Sequence, residues 1–214
     1  MMGPDQDVWY SSISDRTSQK HYAAEEIIAL QGEPIDFVGY VLSGKAKAVA
    51  YSENGDATWV GHFQAGEFLG HTSLLTNSPV RFEISAETDV NIIRVSVPVM
   101  QDLLSTEHGL NATLAKDLAA RLDGMTSRLI EAFTLSTKGR ICAELSRLSR
   151  IIGIMPGNLI IRPSPVFVEL AQRVNSTRET VSRTVSELQK KNIVTREPGA
   201  LVILDPDALR RAIV

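Results

Sequence analysis

The stretch Ser176-Thr177-Arg178-Glu179-Thr180-Val181-Ser182-Arg183-Thr184-Val185-Ser186-Glu187-Leu188 reads as a helix with two unlike faces. Val181, Val185 and Leu188 recur at spacings of four and three, so they share one apolar stripe. Arg178, Glu179, Ser182 and Arg183 lie off that stripe, near the helix start. Ser176 or Thr177 is placed to cap the N-terminus, and Ser176 with Glu179 fits a capping box. Upstream, Glu169-Leu170-Ala171-Gln172-Arg173-Val174 predicts a shorter amphipathic helix, and Asn175 makes the turn, because Asn tolerates the left-handed conformation. Two short helices joined this way form a helix-turn-helix, whose second helix enters the DNA major groove.

The chain around this motif has 214 residues and is 43% hydrophobic, enough for one large or two small domains. No apolar run approaches the ~18 residues that suggest a membrane span. Residues 1–20 are polar and lack an apolar signal core, which predicts a cytoplasmic protein. Cys142 is the sole cysteine, so the chain forms no internal disulfide and supplies no four-cysteine iron–sulfur site. The net charge of −3 hides an asymmetry. Residues 1–136 carry 9 Lys/Arg against 18 Asp/Glu, whereas residues 137–214 carry 13 against 7. A basic C-terminal third beside an acidic remainder points to nucleic acid at that end.

From Tyr22 to Arg94 the sequence is strand-like. Ile27 to Leu30, Phe37 to Leu42, Lys45 to Tyr51, Thr58 to Phe63, Glu83 to Ser85 and Val90 to Val95 are short strands, and Asn54-Gly55 is a hairpin signal. Their near-regular spacing predicts a small antiparallel barrel or jelly roll. Within it, Gly66-Glu67-Phe68-Leu69-Gly70-His71-Thr72-Ser73, with Arg81 beyond, has the makings of a phosphate cradle, although most such stretches are ordinary turns. Before the roll, a short helix around Val8 to Ser14 is an option. After it, Pro98 starts a short helix, and a long helix follows from about Leu110 to Leu135. Leu114, Leu118, Leu122, Met125, Leu129 and Ala132 give this helix a heptad-like seam, which suits a parallel dimer better than packing onto its own roll.

Ser136-Thr137 breaks and recaps the chain as a candidate hinge. A helix from Lys138 to about Ile151, a loop from Gly153 to Gly157 and a strand at Leu159-Ile160-Ile161 follow. Beyond the recognition helix, Ile193 to Thr195 and Leu201 to Leu204 flank the turn Glu197-Pro198-Gly199 as a wing, and Asp205-Pro206 caps a last helix. The predicted fold is α+β, with a jelly roll at 1–108, a dimerisation helix and hinge at 109–136, and a winged helix-turn-helix at 137–214.

In its order of parts the chain resembles the CRP/FNR family of bacterial transcription regulators. The likeness runs from about Tyr22 to the C-terminus. It is carried by Gly66-Glu67-Phe68-Leu69-Gly70, Lys138-Gly139-Arg140-Ile141 and Arg178-Glu179-Thr180-Val181-Ser182-Arg183. The resemblance implies a homodimer that binds palindromic double-stranded DNA, works with RNA polymerase and reorients its recognition helices in response to a sensor ligand. Glu179 then accepts from a cytosine amino group and Arg183 reaches guanine O6 and N7. Arg178 meets guanine or phosphate, and Ser182 a base or a phosphate. Thr177 completes the DNA-facing set.

The same resemblance gives the effector pocket as Gly70, His71, Arg81, Phe82, Met125 and Thr126. Cyclic AMP binding in the family uses a Gly-Glu pair, an Arg-Ser pair and a Thr-Ser pair. Here Gly70 and Arg81 keep their places, but His71 replaces the ribose-binding carboxylate, Phe82 replaces the serine, and Met125 precedes Thr126. The lost hydrogen bonds argue against cyclic AMP. Carbon-monoxide sensors of the family place a haem-ligating histidine where His71 falls, but the cysteine two residues earlier is Leu69 here. The favoured expectation is therefore an unknown effector or none. Cys142 reads as a core residue rather than a redox switch. No Ser–His–Asp set and no metal-ligand cluster stands out, so neither an enzyme nor a metal site is expected.

Overall fold

The computed structural model describes residues 16–151 and 158–214. The helix expected around Val8 to Ser14 and the loop expected at Gly153 to Gly157 lie outside the described residues. Twelve strands are described, β1 Ser18–Tyr22, β2 Ile27–Ala29, β3 Phe37–Ser43, β4 Lys45–Tyr51, β5 Ala57–Gln64, β6 Phe68–Leu69, β7 Glu83–Ala86, β8 Val90–Ser96, β9 Arg150–Ile151, β10 Leu159–Ile161, β11 Val194–Glu197 and β12 Ala200–Ile203. The helices are α1 His71–Thr76, α2 Val97–Thr106, α3 His108–Thr134, α4 Thr137–Leu148, α5 Phe167–Arg173, α6 Arg178–Lys190 and α7 Pro206–Arg211. Contacts divide the chain between Asp123 and Gly124, inside α3.

The first unit is a roll of two antiparallel sheets, ordered β1-β8-β3-β6 and β2-β7-β4-β5. Strand β3 shows why the sheets stack. Side chains alternate along a strand, and here both faces are covered, so no residue from Phe37 to Val41 is polar except for the Tyr40 hydroxyl. Phe37 and Val41 face the interior between the sheets, with Leu69, Ile84 and Ile92. Val38 and Tyr40 face the other way, onto Met100, Leu103, Leu110 and Leu114 of α2 and α3. Strand β1 was illegible in the sequence: four of its five residues are exposed, so it has no apolar pattern.

The long-helix seam divides between two tasks. Leu114 is buried and Leu118 half-buried, both packed on the roll. Leu122, Met125 and Leu129 are exposed, as are Ile130 and Phe133. Periodicity identified residues sharing a face, and that face changes surroundings partway along.

In the second unit, α4, α5, α6 and α7 pack with a sheet ordered β11-β12-β10-β9. Ile141, Leu145, Leu170, Val181, Val185, Leu188, Ile203 and Leu209 form its core. Helix α4 stops at Leu148 rather than near Ile151, because Arg150 and Ile151 pair with Ile160 and Leu159 as a strand. Among the described residues, no helix is long and apolar enough to cross a membrane.

Candidate nucleic-acid interface and sensor site

Helix α6 begins at a cap supplied by Thr177, whose hydroxyl accepts from the Thr180 amide at 3.2 Å. The Ser176–Glu179 capping box is not the one used. The helix starts one residue later than that box requires, so Thr180 occupies the third helical position. Asn175 sits at φ 49°, the left-handed turn that the sequence anticipated. Val181, Val185 and Leu188 are buried, and Thr184 joins them. Burial of this stripe leaves Arg178, Glu179 and Arg183 exposed, with Ser182 half-buried and Thr177 exposed at the cap. The three charged side chains thus occupy the solvent side of a helix fixed on its other side by the core. A bidentate guanidinium and a carboxylate acceptor are the groups that read base edges. On the wing, the Arg196 guanidinium stacks over the Phe167 ring at 4.6 Å, joining β11 to α5.

The Lys138-Gly139-Arg140 triplet anchors this motif from behind. Ser136 caps α4 by accepting from the Gly139 amide at 3.0 Å. Lys138 donates to Glu187 of α6 at 2.6 Å. Arg140 donates to the carbonyl of Val174 at 3.0 Å and to that of Leu135 at 3.1 Å. The helix-turn-helix turn is therefore tied to the start of α4 through its own backbone.

In the roll, Gly70 takes φ 78° and caps α1, and a Cβ there would meet the Phe37 carbonyl oxygen at 2.8 Å. His71 is 2% exposed and faces Asp117 of α3 at 3.6 Å. Burial pushes its imidazole down to about 4, against the pull of Asp117 and with help from the Arg121 cation. Arg121 links the groups around it: it donates to Asp117 at 3.0 Å, to Glu67 at 3.1 Å and to the Phe68 carbonyl at 3.2 Å, and its guanidinium lies over the Phe63 ring. Arg81 is exposed and makes no ion pair among the described residues. Phe82 is half-buried against the interior cluster of the roll. Met125 and Thr126 are exposed on α3 and belong to the second unit. The six pocket positions thus differ widely in burial and setting. Among the described residues, no group of three or more His, Cys, Asp or Glu side chains is arranged to hold a metal ion.

The profile of the cyclic nucleotide-binding domain matches residues 19–107, and that of the Crp-like helix-turn-helix domain matches residues 139–212. The chain belongs to the CRP/FNR family of transcription regulators. It is 21% identical over 182 residues to the CRP-like cAMP-activated global transcriptional regulator of Mycobacterium tuberculosis, covering 85% of this chain and 81% of that protein. A CRP/FNR-family transcriptional regulator of Thermus thermophilus shares its fold with a TM-score of 0.73 at 25% identity, over 92% of this chain and 98% of that one. The c-di-GMP-responsive global regulator of Xanthomonas campestris is similar in fold, with a TM-score of 0.79 at 23% identity and coverage of 92% and 98%.

This CRP/FNR member is a transcription regulator with a helix-turn-helix DNA-binding domain, not an enzyme. Sequence reasoning missed Asp117 and Arg121, which meet His71 and Glu67 across 46 to 54 positions of chain. It also missed Glu144, a carboxylate 1% exposed among arginines. An i,i+4 pair at Asp117 and Arg121 was the one local signal available.

Proposed function

We propose that this regulator is a homodimer that reads a two-fold symmetric site in double-stranded DNA, with one α6 per half-site. The observation that carries this reading is the exposed row of Arg178, Glu179 and Arg183 on a helix whose opposite face is wholly buried. Glu179 favours base reading over indiscriminate backbone binding, since a carboxylate near phosphates is repelled unless it accepts from a base. The exposed Leu122, Met125 and Leu129 support pairing through α3, since an apolar seam in water is stabilised by a partner seam. RNA polymerase is the proposed protein partner and the cytoplasm the proposed location.

The roll takes an effector other than cyclic AMP or haem, or none. The Mycobacterium relative bears the name of a cAMP-activated regulator. In this chain the residue after Gly70 is a buried histidine facing Asp117, and Phe82 packs in the roll interior. That set lacks the carboxylate for a ribose hydroxyl and the serine for a cyclic phosphate. Haem does not fit these residues either. His71 is enclosed against Asp117 and the edge of Phe68, which leaves no open approach to an axial ligand.

The test is selection of duplexes from a random pool by the purified full chain, repeated with added cyclic AMP at fixed salt. Recovery of a two-fold symmetric site without the nucleotide, with affinity unchanged by it, is the expected result. Recovery of sequence-independent or unpaired sites would overturn the dimeric reading. Binding that depends on cyclic AMP would overturn the effector reading alone.

A further inference from the structure

The break between α3 and α4 at Leu135–Ser136 has the look of a flexible joint, yet charged side chains span it. Glu144 of α4 is 1% exposed. Its carboxylate faces Arg128 of α3 at 3.4 Å, Arg173 of α5 at 3.6 Å and Arg147 of its own helix. Arg147 in turn reaches back to Glu131 of α3 at 2.6 Å. Arg140 adds a second strap, with the Leu135 carbonyl on one side of the break and the Val174 carbonyl on the other.

A buried carboxylate persists when cations and donors surround it. Replacing a buried ion cluster by apolar residues of similar volume is often neutral, whereas removing one partner leaves a buried charge uncompensated. The arginines around Glu144 come from three helices; the pairs with Arg128 and Arg173, and that of Arg147 with Glu131, each tie one helix to another. Contacts likewise group the chain from Gly124 onward with the helix-turn-helix.

We propose that Glu144 is a positioning residue for DNA recognition. It locks the last turns of α3 to the helix-turn-helix, so this cluster, and not the Ser136–Thr137 break, sets the separation of the two recognition helices. The inference rests on the dimeric reading above. Glu144 touches no DNA; it acts through Arg128 and Arg173.

The experiment uses the full chain and the duplex that the wild-type protein selects, with one base pair inserted or removed between the half-sites. Each such change displaces one half-site along and around the helix axis, so a rigid dimer loses affinity. The wild type is expected to discriminate strongly among spacings. Glu144→Gln keeps the side-chain shape but removes the charge, and is expected to shrink that discrimination by about tenfold. Glu144→Asp, which retains the carboxylate, is expected to restore part of it. A merely structural role would lower the folded fraction and leave the spacing preference of the folded molecules intact. Should Glu144→Gln fail to fold, Arg128→Gln removes one arm of the cluster from a half-buried helix position and decides the matter. Unchanged spacing preference in a folded Glu144→Gln protein, or in Arg128→Gln where the former does not fold, overturns the proposal. A wild type indifferent to spacing overturns the dimeric reading, and this one with it.

Discussion

A side chain on Gly139 would run into the backbone carbonyl oxygen of Ile213, so the start of α4 packs against the residues after α7 with no room for a Cβ. Alanine normally improves a helix interior by up to about 1 kcal/mol over glycine. Here the obstacle is backbone and cannot rotate aside. Gly139→Ala is expected to destabilise the DNA-binding unit by about 1–3 kcal/mol, read as a lower urea midpoint. A variant as stable as the wild type would show that the α4–α7 contact yields easily.

Arg183 projects from the exposed face of α6. Arg183→Ala is expected to cost about 1–3 kcal/mol on the selected duplex and to relax preference at one base position of each half-site. Anisotropy titrations against single-base variants measure this. A uniform loss across all sequences, with a shallower salt slope, would assign Arg183 to phosphate instead.

Leu129 is 57% exposed on the seam of α3. Leu129→Asp is expected to weaken self-association by roughly a hundredfold or more, because each protomer would bring an unpaired carboxylate to an apolar contact. Sedimentation at micromolar concentration reads the change. A dimer undisturbed by the substitution must be held elsewhere.

His71 links stability to pH. Its folded pKa, about 4, lies below the ordinary 6.5, so between those values the unfolded chain binds more protons. Stability is therefore full above about pH 6.5 and falls as pH drops toward 4, by about 3 kcal/mol at most. Thermal unfolding of the wild type and of His71→Gln across pH 7.5 to 4.5 separates this contribution from that of other groups. The variant is expected to lose less on acidification, and parallel curves would contradict the assignment to His71.

Cys142 is buried on α4, and burial pushes its thiol up to about 11. The folded protein is expected to resist alkylation at pH 8, with full modification only in denaturant. Rapid labelling of the native chain would reopen a redox role.

The recognition helix was legible because its signals are local. The spacing of Val181, Val185 and Leu188, the turn at Asn175 and the cap at Thr177 each follow from a few neighbouring residues. Glu144 was illegible for the opposite reason. A glutamate in an amphipathic helix reads as solvated, and the partners that bury it arrive from Arg128 and Arg173, on other helices. His71 was noticed for its position, but its neighbours Asp117 and Arg121 were not. The seam of α3 was seen as one stripe, because periodicity carries no information about where the roll ends.

Every residue of Gly66-Glu67-Phe68-Leu69-Gly70 has an architectural task. Gly66 and Gly70 adopt positive φ, Phe68 and Leu69 are fully buried, and Glu67 holds the Gln64 amide and Arg121. In this chain the pentapeptide thus builds the roll and its turn into α1, and the choice of effector has more to do with the positions that follow it, beginning at His71.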